Sequence, residues 1–313
     1  MYGNKYLPEG SLIGDCENRE FVSTYAGLER AMENGKILEG IVRMCDCDMN
    51  LVVDLGEIGG IIPRSEAVLT SDGGDIKDIA VITRVGKPVC FKVIGFDIRE
   101  GRRIAVLSRR AAQTDCLNNC LMDLCVGDVI PARITHMEHF GAFADIGCGI
   151  VSLMTIDSVS VSRISHPSDR FFVGQKIFSV VKSIDYKTGR ICISHKELLG
   201  TWEENAKKFS IGQTVAGIVR SVESYGIFVE LTPNLAGLAE YRDDVAVGQS
   251  AAVYIKNIIP EKMKIKLVIV DACPAEPTLP KLEYMVDTDA VRHIDFWRYS
   301  PTDSDKVIES AFC

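Results

Sequence analysis

Short stretches in which apolar and polar residues alternate recur three times along this chain, and each recurrence has two halves. The second half always opens on Val-Gly followed by Lys or Gln, at residues 85–87, 173–175 and 247–249. A run rich in β-branched residues follows, then a short turn, then another such run. The three pairs of runs are VCFKVIGFD with IAVLS, IFSVVKSID with RICIS, and AAVYIKNII with KIKLVIV. This pattern predicts two strands after each Val-Gly dipeptide.

The first halves also repeat, and they define the length of the unit. ARITHMEHFGAFADIG begins at Ala132 and GIVRSVESYGIFVELT begins at Gly217, so these two copies lie 85 residues apart. A weaker copy, GIVRMCDCDMNLVVDLG, begins at Gly40. Each copy predicts three strands. Because five short strands close more readily into a small barrel than into a stable flat sheet, the spacing predicts a mainly β chain of three barrels, with sandwich domains as the alternative.

Helical connectors are predicted between the units. The stretch from Arg109 to Leu124 lacks Gly and Pro and contains three leucines at helical spacing. In the second connector, from Lys196 to Phe209, Thr201 followed by Glu204 resembles a capping box. The three leucines of the first connector are Leu117, Leu121 and Leu124.

The two ends of the chain differ from the repeats. One helix is predicted from Glu20 to Asn34, and another from Ser304 to Phe312. Three prolines after the last unit predict a stiff linker, and the aromatic segment from His293 to Pro301 predicts docking onto a barrel, or alternatively onto a partner. The prolines are Pro274, Pro277 and Pro280. The predicted division is an N-terminal helical extension (1–35), repeat one (36–110), a helical connector (111–126), repeat two (127–195), a helical connector (196–210), repeat three (211–271), and a Pro-rich linker with a C-terminal tail (272–313).

Composition limits the classes of function. The formal net charge of −8 argues against coating nucleic acid through bulk charge, but not against stacking bases on local aromatic side chains. The 11 cysteines show no paired C-x-x-C or zinc-finger spacing, so we expect free thiols and no metal. Because we find no nucleophile with a placed base and no phosphate-binding glycine loop, we expect no enzyme activity and no cofactor. The sequence has no secretory signal and no membrane-spanning run, so we expect a cytoplasmic protein with no membrane partner.

The repeated motifs resemble the S-one repeats of the bacterial ribosomal protein S-one family. Unit two carries FGAF from Phe140 and Gly-Ile-Val from Gly149, and unit three carries YGIF from Tyr225 and Gly-Leu-Ala from Gly237. Unit one carries GIIPRSE from Gly60, and LSRRA and TWEENAKKF are similar to the family's joints between repeats. The resemblance covers most of the chain. It implies three tandem five-stranded OB-fold barrels, joined by short α-helical connectors, that bind single-stranded RNA, including messenger RNA, on one face.

The resemblance also implies particular site residues. In the family, two aromatics on the second strand stack bases, and a histidine on the third strand and an acidic–basic pair near the last turn complete the site. Ser152 in unit two and Glu240 in unit three stand at the histidine position, and lysines in unit three would meet phosphates. The implied RNA-binding residues are Phe140, Phe143, Ser152, Asp185, Lys187, Arg190, Tyr225, Phe228, Lys262, Lys264 and Lys266.

Unit one departs most from the family pattern. Asp48, Met49 and Leu51 stand at its aromatic positions, although Asp97 and the Arg102/Arg103 pair remain. We therefore expect RNA binding to be strongest in unit two and weakest in unit one. The early repeats of the family dock onto the ribosome through protein contacts, so a protein-interaction module that docks on the small ribosomal subunit is an alternative. An accessory factor in RNA decay is another.

Several residues near these motifs have two interpretations. Phe143 and Phe228 are as compatible with core packing as with base stacking, whereas stacking is favoured for Phe140 and Tyr225. His136 and His139 are interpreted as solvated or hydrogen-bonded residues. The segment before the second Val-Gly dipeptide is either an RNA-facing loop or a solvated one, and its basic residues are Arg163, His166 and Arg170.

Overall fold

Three closed barrels of five strands each make up most of the chain. The computed structural model describes residues 7–70, 74–99, 101–119, 123–186, 188–275 and 281–312. In each barrel the first, second and third strands are neighbours, the fourth pairs with the first, and the fifth lies between the third and the fourth. The third and fifth strands run parallel, and the other pairs run antiparallel. The prediction of a mainly β chain of three five-stranded barrels is confirmed.

The barrels follow the predicted division into three strands before the Val-Gly dipeptide and two after it. Barrel one consists of β1 (Leu38–Cys45), β2 (Leu51–Leu55), β3 (Ile58–Ile62), β4 (Pro88–Arg99) and β5 (Arg102–Ser108). Barrel two consists of β6 (Val129–Glu138), β7 (Gly141–Asp145), β8 (Val151–Thr155), β9 (Lys176–Asp185) and β10 (Arg190–Ser194). Barrel three consists of β11 (Thr214–Glu223), β12 (Gly226–Thr232), β13 (Leu235–Ala239), β14 (Ser250–Ile259) and β15 (Lys264–Cys273).

Each barrel has its own apolar core, because alternate residues of every strand point inward. The first strand of each barrel has a bulge at the same place, between Ile134 and His136 in barrel two and between Val219 and Ser221 in barrel three. Barrel one has its bulge between Val42 and Met44. A bulge bends and twists a strand, which lets five short strands close on themselves.

The α-helices in the described part of the chain are short. They are α1 (Cys16–Val22), α2 (Tyr25–Glu33), α3 (Asp78–Ile82), α4 (Arg109–Asn119), α5 (Ile156–Val159) and α6 (Trp202–Ala206). The capping box at α6 is confirmed, because Thr201 Oγ1 accepts from the Glu204 amide and Glu204 accepts from the Thr201 amide at 2.7 Å. In the described ranges no helix combines the length and apolar composition needed to cross a bilayer.

Two helical predictions differ from the structure near the N-terminal half. A single helix from Glu20 to Asn34 was wrong: α1 and α2 are separate, because the Thr24 side chain accepts from the Gly27 amide and caps α2 at that point. The first connector is helical to Asn119, whereas Leu124 is not helical and packs into the core of barrel two. Leu121, which contributed to the predicted periodicity, lies outside the described residues.

The C-terminal tail forms a two-stranded sheet, and the helix predicted from Ser304 to Phe312 was wrong. The strand β16 (Phe296–Arg298) pairs antiparallel with β17 (Glu309–Ala311). The docking of this segment onto a barrel is confirmed, because Trp297 and Tyr299 are buried in the core cluster of barrel three. The Tyr299 carbonyl also accepts from the Trp202 amide at 2.9 Å. Of the predicted linker, Pro274 is described and exposed, whereas Pro277 and Pro280 lie outside the described residues.

A buried ion pair joins barrel one to barrel two. Glu9 from the N-terminal segment receives Arg109 Nε at 2.7 Å, and its amide donates to Asp145 Oδ2 of barrel two at 2.7 Å. Burial alone would raise the pKa of the Glu9 carboxyl, but the Arg109 guanidinium, together with Arg84 and the Cys90 amide, holds that pKa below its ordinary value. The Cys90 amide of barrel one also donates to Glu9. These contacts fix the first two barrels relative to each other.

A second buried network joins barrel two to barrel three. Arg170 from barrel two and Arg220 from barrel three both pair with the buried Glu230, and Arg220 also reaches Asp169 at 2.9 Å. Arg170 was predicted to lie in an RNA-facing or solvated loop, and this was wrong, because its side chain is buried against Glu230. A charge buried in this way is retained only with such partners.

Candidate nucleic-acid interface

Barrel two exposes an aromatic pair where its first two strands meet. His139 and Phe140 form the two-residue turn between β6 and β7, and Phe140 is 57% exposed. Phe143 follows on β7 and is half-buried, with its ring centroid 5.9 Å from that of Phe140 at an interplanar angle of 88°. Because Phe140 lies in the turn, the alternation along β7 does not separate the two rings. They share the outer face of the barrel.

Gly141 allows this geometry. A Cβ atom at Gly141 would lie 2.3 Å from the carbonyl oxygen of Met154, and one at Gly226 of barrel three would lie 2.5 Å from that of Ala239. Any side chain would therefore push the second strand away from the third. The glycine between the two aromatics keeps the strand pair close, directly beneath the rings.

Barrel three repeats the aromatic pair almost without change. Tyr225 lies in the turn between β11 and β12 and is 68% exposed, and Phe228 on β12 is half-buried. The two ring centroids are 6.2 Å apart at an interplanar angle of 85°. We call the pairs Phe140/Phe143 and Tyr225/Phe228 the aromatic platforms of barrels two and three.

Basic side chains continue the face of barrel three beyond its platform. Phe228 pairs with Leu238 on β13, and Leu238 pairs in turn with Lys266 on β15. Lys264 lies two residues earlier on the same exposed side of β15, and Lys262 is exposed in the preceding turn. The three predicted lysines therefore lie on one side of the platform.

Barrel two has an acidic–basic pair at the corresponding edge. Asp185 ends β9 and is the direct strand partner of Arg190, which begins β10, and both are exposed. Asp185 Oδ2 accepts from the Thr188 hydroxyl at 2.6 Å. Lys187, between them, lies outside the described residues. In barrel three the same register pairs Ile259 with Lys264, so Lys264 takes the place of Arg190 and its strand partner is apolar rather than acidic.

Ser152 does not lie on this face, so its prediction was wrong. It is 2% exposed, and its hydroxyl donates to the Ile191 carbonyl inside the barrel. Phe143 pairs with Leu153, as Phe228 pairs with Leu238, so the structural counterpart of Glu240 is Thr155. The Gly-Ile-Val triplet at residues 149–151 lies three residues too early in the chain, so the residue after it does not occupy the family's histidine position.

The residues that carry the platform of barrel two fall within a known sequence family. Residues 124–196 match the S1 RNA binding domain model. Over most of its length the chain is also similar to small ribosomal subunit protein bS1 of Staphylococcus aureus strain COL, with 29% identity over 283 residues covering 85% of this chain and 70% of the relative. The relative from Staphylococcus haemolyticus is 30% identical over 287 residues, covering 87% of this chain and 69% of its own length.

The chain belongs to the bS1 family of small ribosomal subunit proteins. The Bacillus subtilis bS1 homolog is 31% identical over 253 residues, covering 78% of this chain and 62% of that protein. Among solved structures, a multidomain protein with nucleic acid binding domains from Streptococcus pneumoniae aligns at 15% identity with a TM-score of 0.24, covering 75% of this chain and 73% of that one. The fold of this bS1-family chain rests on its own strand topology rather than on that alignment.

In this bS1-family chain, barrel one has no aromatic platform. Counted by strand register, Met49 and Val52 take the places of Tyr225 and Phe228, and Leu51, predicted at this face, is fully buried. A groove of about 570 Å³ opens on this side of the barrel. Its lining includes the apolar or aromatic residues Tyr25, Val52 and Ile61 and the charged residues Asp46, Glu57, Arg99, Arg102 and Arg103.

The predicted basic pair of barrel one is in part engaged by the N-terminal helices. Arg103 pairs with Glu29 of α2 at 2.6 Å, and its guanidinium lies 4.1 Å from the ring centroid of Phe96 and 5.1 Å from that of Tyr25. Ile104 occupies the position of Arg190, opposite Asp97. The edge of barrel one that corresponds to Arg190 of barrel two is thus partly engaged by contacts within the protein.

Two histidines that sequence reasoning interpreted as solvated or hydrogen-bonded make ring contacts at the platform of barrel two. His136 is stacked beside Phe143, with centroids 6.1 Å apart and an interplanar angle of 24°. His139 meets His166 edge to face at 5.0 Å. The cross-strand pairing of His136 with Phe143 is the signal that would have identified the first contact, but it requires the register of the bulged strand. In the described part of the chain, no three His, Cys, Asp or Glu side chains form a group that could hold a metal ion.

Proposed function

We propose that this chain binds single-stranded RNA, including messenger RNA, on the outer faces of barrels two and three, and acts in translation without enzymatic activity. The observation that carries the proposal is the repeated platform, in which an exposed turn aromatic stands edge to face with a half-buried strand aromatic. Two rings on a rigid strand pair lose little entropy when a base stacks on them. Each stacked base contributes about 1–3 kcal/mol.

The charge distribution supports the same proposal. The chain is acidic overall, so RNA must be attracted locally rather than by net charge. Lysines beside the platform of barrel three and Arg190 beside that of barrel two are placed to meet phosphates of a strand whose bases lie on the rings. The proposed RNA-binding residues are Phe140, Phe143, Asp185, Arg190, Tyr225, Phe228, Lys262, Lys264 and Lys266, with Lys187 added from the sequence alone.

The family relationship supports a role at the ribosome. The relatives are named as proteins of the small ribosomal subunit, which makes that subunit the expected partner and the cytoplasm the expected location. The predicted division into repeats at 36–110, 127–195 and 211–271, with the connectors and ends between them, is part of this proposal.

A specific observation favours a second role for barrel one. Its groove combines apolar walls with charged side chains of both signs in the place of a stacking platform: Arg102, Asp46, Glu57 and Arg99, which lies 3.5 Å from Asp97. Such a mixed surface suits a protein segment with apolar and charged side chains better than a row of bases. We therefore propose that barrel one docks to protein, whereas barrels two and three hold RNA.

Fluorescence anisotropy with a labelled single-stranded RNA tests the RNA-binding proposal. We expect the full chain to bind with an affinity that falls as salt rises, and the double variant Phe140→Ala/Tyr225→Ala to bind at least about tenfold more weakly. The matched control is Phe296→Ala, an exposed aromatic of the tail that belongs to neither platform. Absence of salt-dependent binding by the unmodified chain, or equal binding by the double variant, would overturn the proposal.

A further inference from the structure

The platform of barrel two contains a ring that the platform of barrel three lacks. His136 is the cross-strand partner of Phe143, and Ser221 is the cross-strand partner of Phe228 at the equivalent point after the bulge. The two barrels therefore present the same strand pairing and an equivalent aromatic pair, but only barrel two adds an imidazole. Resting on the proposed RNA-binding function, we infer that His136 is a third stacking surface for RNA and makes barrel two the stronger RNA site.

The geometry of the His136 and Phe143 rings is the first observation that supports this inference. The imidazole and the Phe143 ring are nearly parallel, yet their centroids are 6.1 Å apart, an offset arrangement in which neither ring covers the whole face of the other. The His136 side chain is 62% exposed. A base that reaches Phe143 therefore finds a second near-parallel π surface beside it.

Phe140 completes the row from the other side. Its ring meets Phe143 edge to face at 5.9 Å, so Phe143 lies between the exposed imidazole and the exposed phenyl ring. The three rings line the junction of β6 and β7, and the central ring, Phe143, is half-buried. An RNA strand crossing this junction meets three rings in barrel two, and two in barrel three.

A hydrogen bond fixes the imidazole in this orientation. His136 Nε2 lies 2.7 Å from Glu138 Oε1, and both residues are on the same side of β6. Because an ionised carboxylate only accepts, Nε2 carries the proton that is donated. In neutral histidine this leaves Nδ1 as an acceptor for a ribose hydroxyl or a base amino group. Barrel three has Glu223 at the equivalent position but no imidazole beside it.

Exchanging the two residues tests the inference in the full chain. We expect His136→Ser, which installs the residue of barrel three, to weaken binding of a single-stranded RNA about tenfold. His136→Phe keeps a ring but loses the hydrogen bond to Glu138, and we expect it to retain most of the affinity. In the Phe140→Ala/His136→Ser background, we expect Ser221→His to restore several-fold tighter binding.

A spectroscopic measurement separates stacking from an indirect structural effect. The RNA carries 2-aminopurine, whose fluorescence is quenched on stacking, and we expect less quenching by His136→Ser than by the unmodified chain, with unchanged thermal unfolding. Unchanged affinity and quenching in His136→Ser, while Phe140→Ala still weakens binding, would overturn this inference and leave the proposed function standing. If His136→Phe binds as weakly as His136→Ser, the stacking role is also overturned. If Phe140→Ala has no effect either, the RNA site in barrel two itself fails.

Discussion

Barrels one and two have the same strand order and the same bulge, but their outer faces differ at a few positions. Where barrel two carries Phe140 and Phe143, barrel one carries Met49 and Val52. Where barrel two carries Arg190, barrel one carries Ile104. Inward-facing residues therefore determine the barrel, whereas outward-facing residues give each barrel a different surface, and this difference is the basis for proposing two functions on one fold.

The N-terminal helices account for part of this difference. The ring centroid of Tyr25 in α2 lies 6.3 Å from that of Phe96 in barrel one. The Tyr25 hydroxyl donates to the Arg103 carbonyl at 2.6 Å. These contacts cover one edge of the face of barrel one. The equivalent edge of barrel two, at Asp185 and Arg190, is exposed. The comparison makes four predictions, which we order from the largest expected effect.

The largest effect is expected at the joint that fixes barrel one to barrel two. Arg109→Ala leaves the buried Glu9 without its main partner, and we expect a loss of about 3–5 kcal/mol in the free energy of unfolding. The control is Arg43→Ala, which removes an exposed pair with Asp54 in barrel one and should cost about 1 kcal/mol or less. Chemical denaturation measures both variants. Equal, small losses would show that the joint does not hold the barrels together.

The next largest effect is on RNA affinity, and it compares the outer face of barrel two directly with that of barrel one. Phe140→Ala/Phe143→Ala in barrel two should weaken RNA binding about tenfold or more, because two stacking surfaces are lost. Met49→Ala/Val52→Ala at the same places of barrel one should leave the affinity unchanged. Anisotropy titrations at one salt concentration compare the variants, with circular dichroism as a check of folding. A comparable loss in both barrels would remove the distinction between them.

We expect the free energy of unfolding to depend on pH through a residue of barrel one that barrel three lacks. Burial raises the pKa of Glu39 to about 7, although its carboxylate accepts from the amides of Leu12 and Gly10. The folded state thus holds the proton more tightly than the unfolded chain, whose value is near 4.5. The stabilisation of the folded state by the protonated Glu39 carboxyl is complete below about pH 4.5 and is lost as pH rises through about 7. Barrel three has Ala216 at the equivalent position.

Thermal unfolding between pH 5 and pH 8 checks this response. We expect the chain to lose on the order of 1–2 kcal/mol from Glu39 over this range, and Glu39→Gln to show a flatter profile. Ala216→Ser in barrel three is the control and should keep the slope of the unmodified chain. If the stability of Glu39→Gln falls with pH as steeply as that of the unmodified chain, then the Glu39 carboxyl is not the source of the pH dependence.

The smallest expected effect is a gain in RNA affinity from substitutions on barrel one. Met49→Phe/Val52→Phe places two rings at the platform positions, and we expect at most a few-fold increase in RNA affinity, because Ile104 still replaces the basic residue and α2 still engages Arg103. Adding Ile104→Arg should increase the gain. Anisotropy against the unmodified chain measures both. A decrease in affinity would mean that these positions do not form the equivalent face.

The sequence predicted those parts of the fold that depend on local pattern. The Val-Gly dipeptides and alternating runs predicted three sets of five strands, and the motifs FGAF in barrel two and YGIF in barrel three marked the two aromatic pairs. Features that depend on distant partners were missed. Arg170 is buried because Glu230, 60 residues away, receives it, and the tail from Ser304 forms a strand because Phe296–Arg298 pairs with it.

Register was the other source of error. Ser152 was assigned by matching a Gly-Ile-Val triplet, but strand pairing places that triplet three residues before the family position and turns Ser152 into the barrel. The contact of His136 with Phe143 likewise depends on the bulge between Ile134 and His136, which a one-letter sequence does not reveal. A shift of a single residue reverses the face on which a side chain lies.

Photo-crosslinking followed by mass spectrometry tests the central claim most directly. The full chain is irradiated with a single-stranded RNA that contains 4-thiouridine, and the crosslinked residues are mapped. We predict crosslinks at Phe140, Phe143 and His136 in barrel two and at Tyr225 and Phe228 in barrel three, with none on the face of barrel one around Val52. Crosslinks concentrated on barrel one, with the two platforms unmodified, would contradict the account.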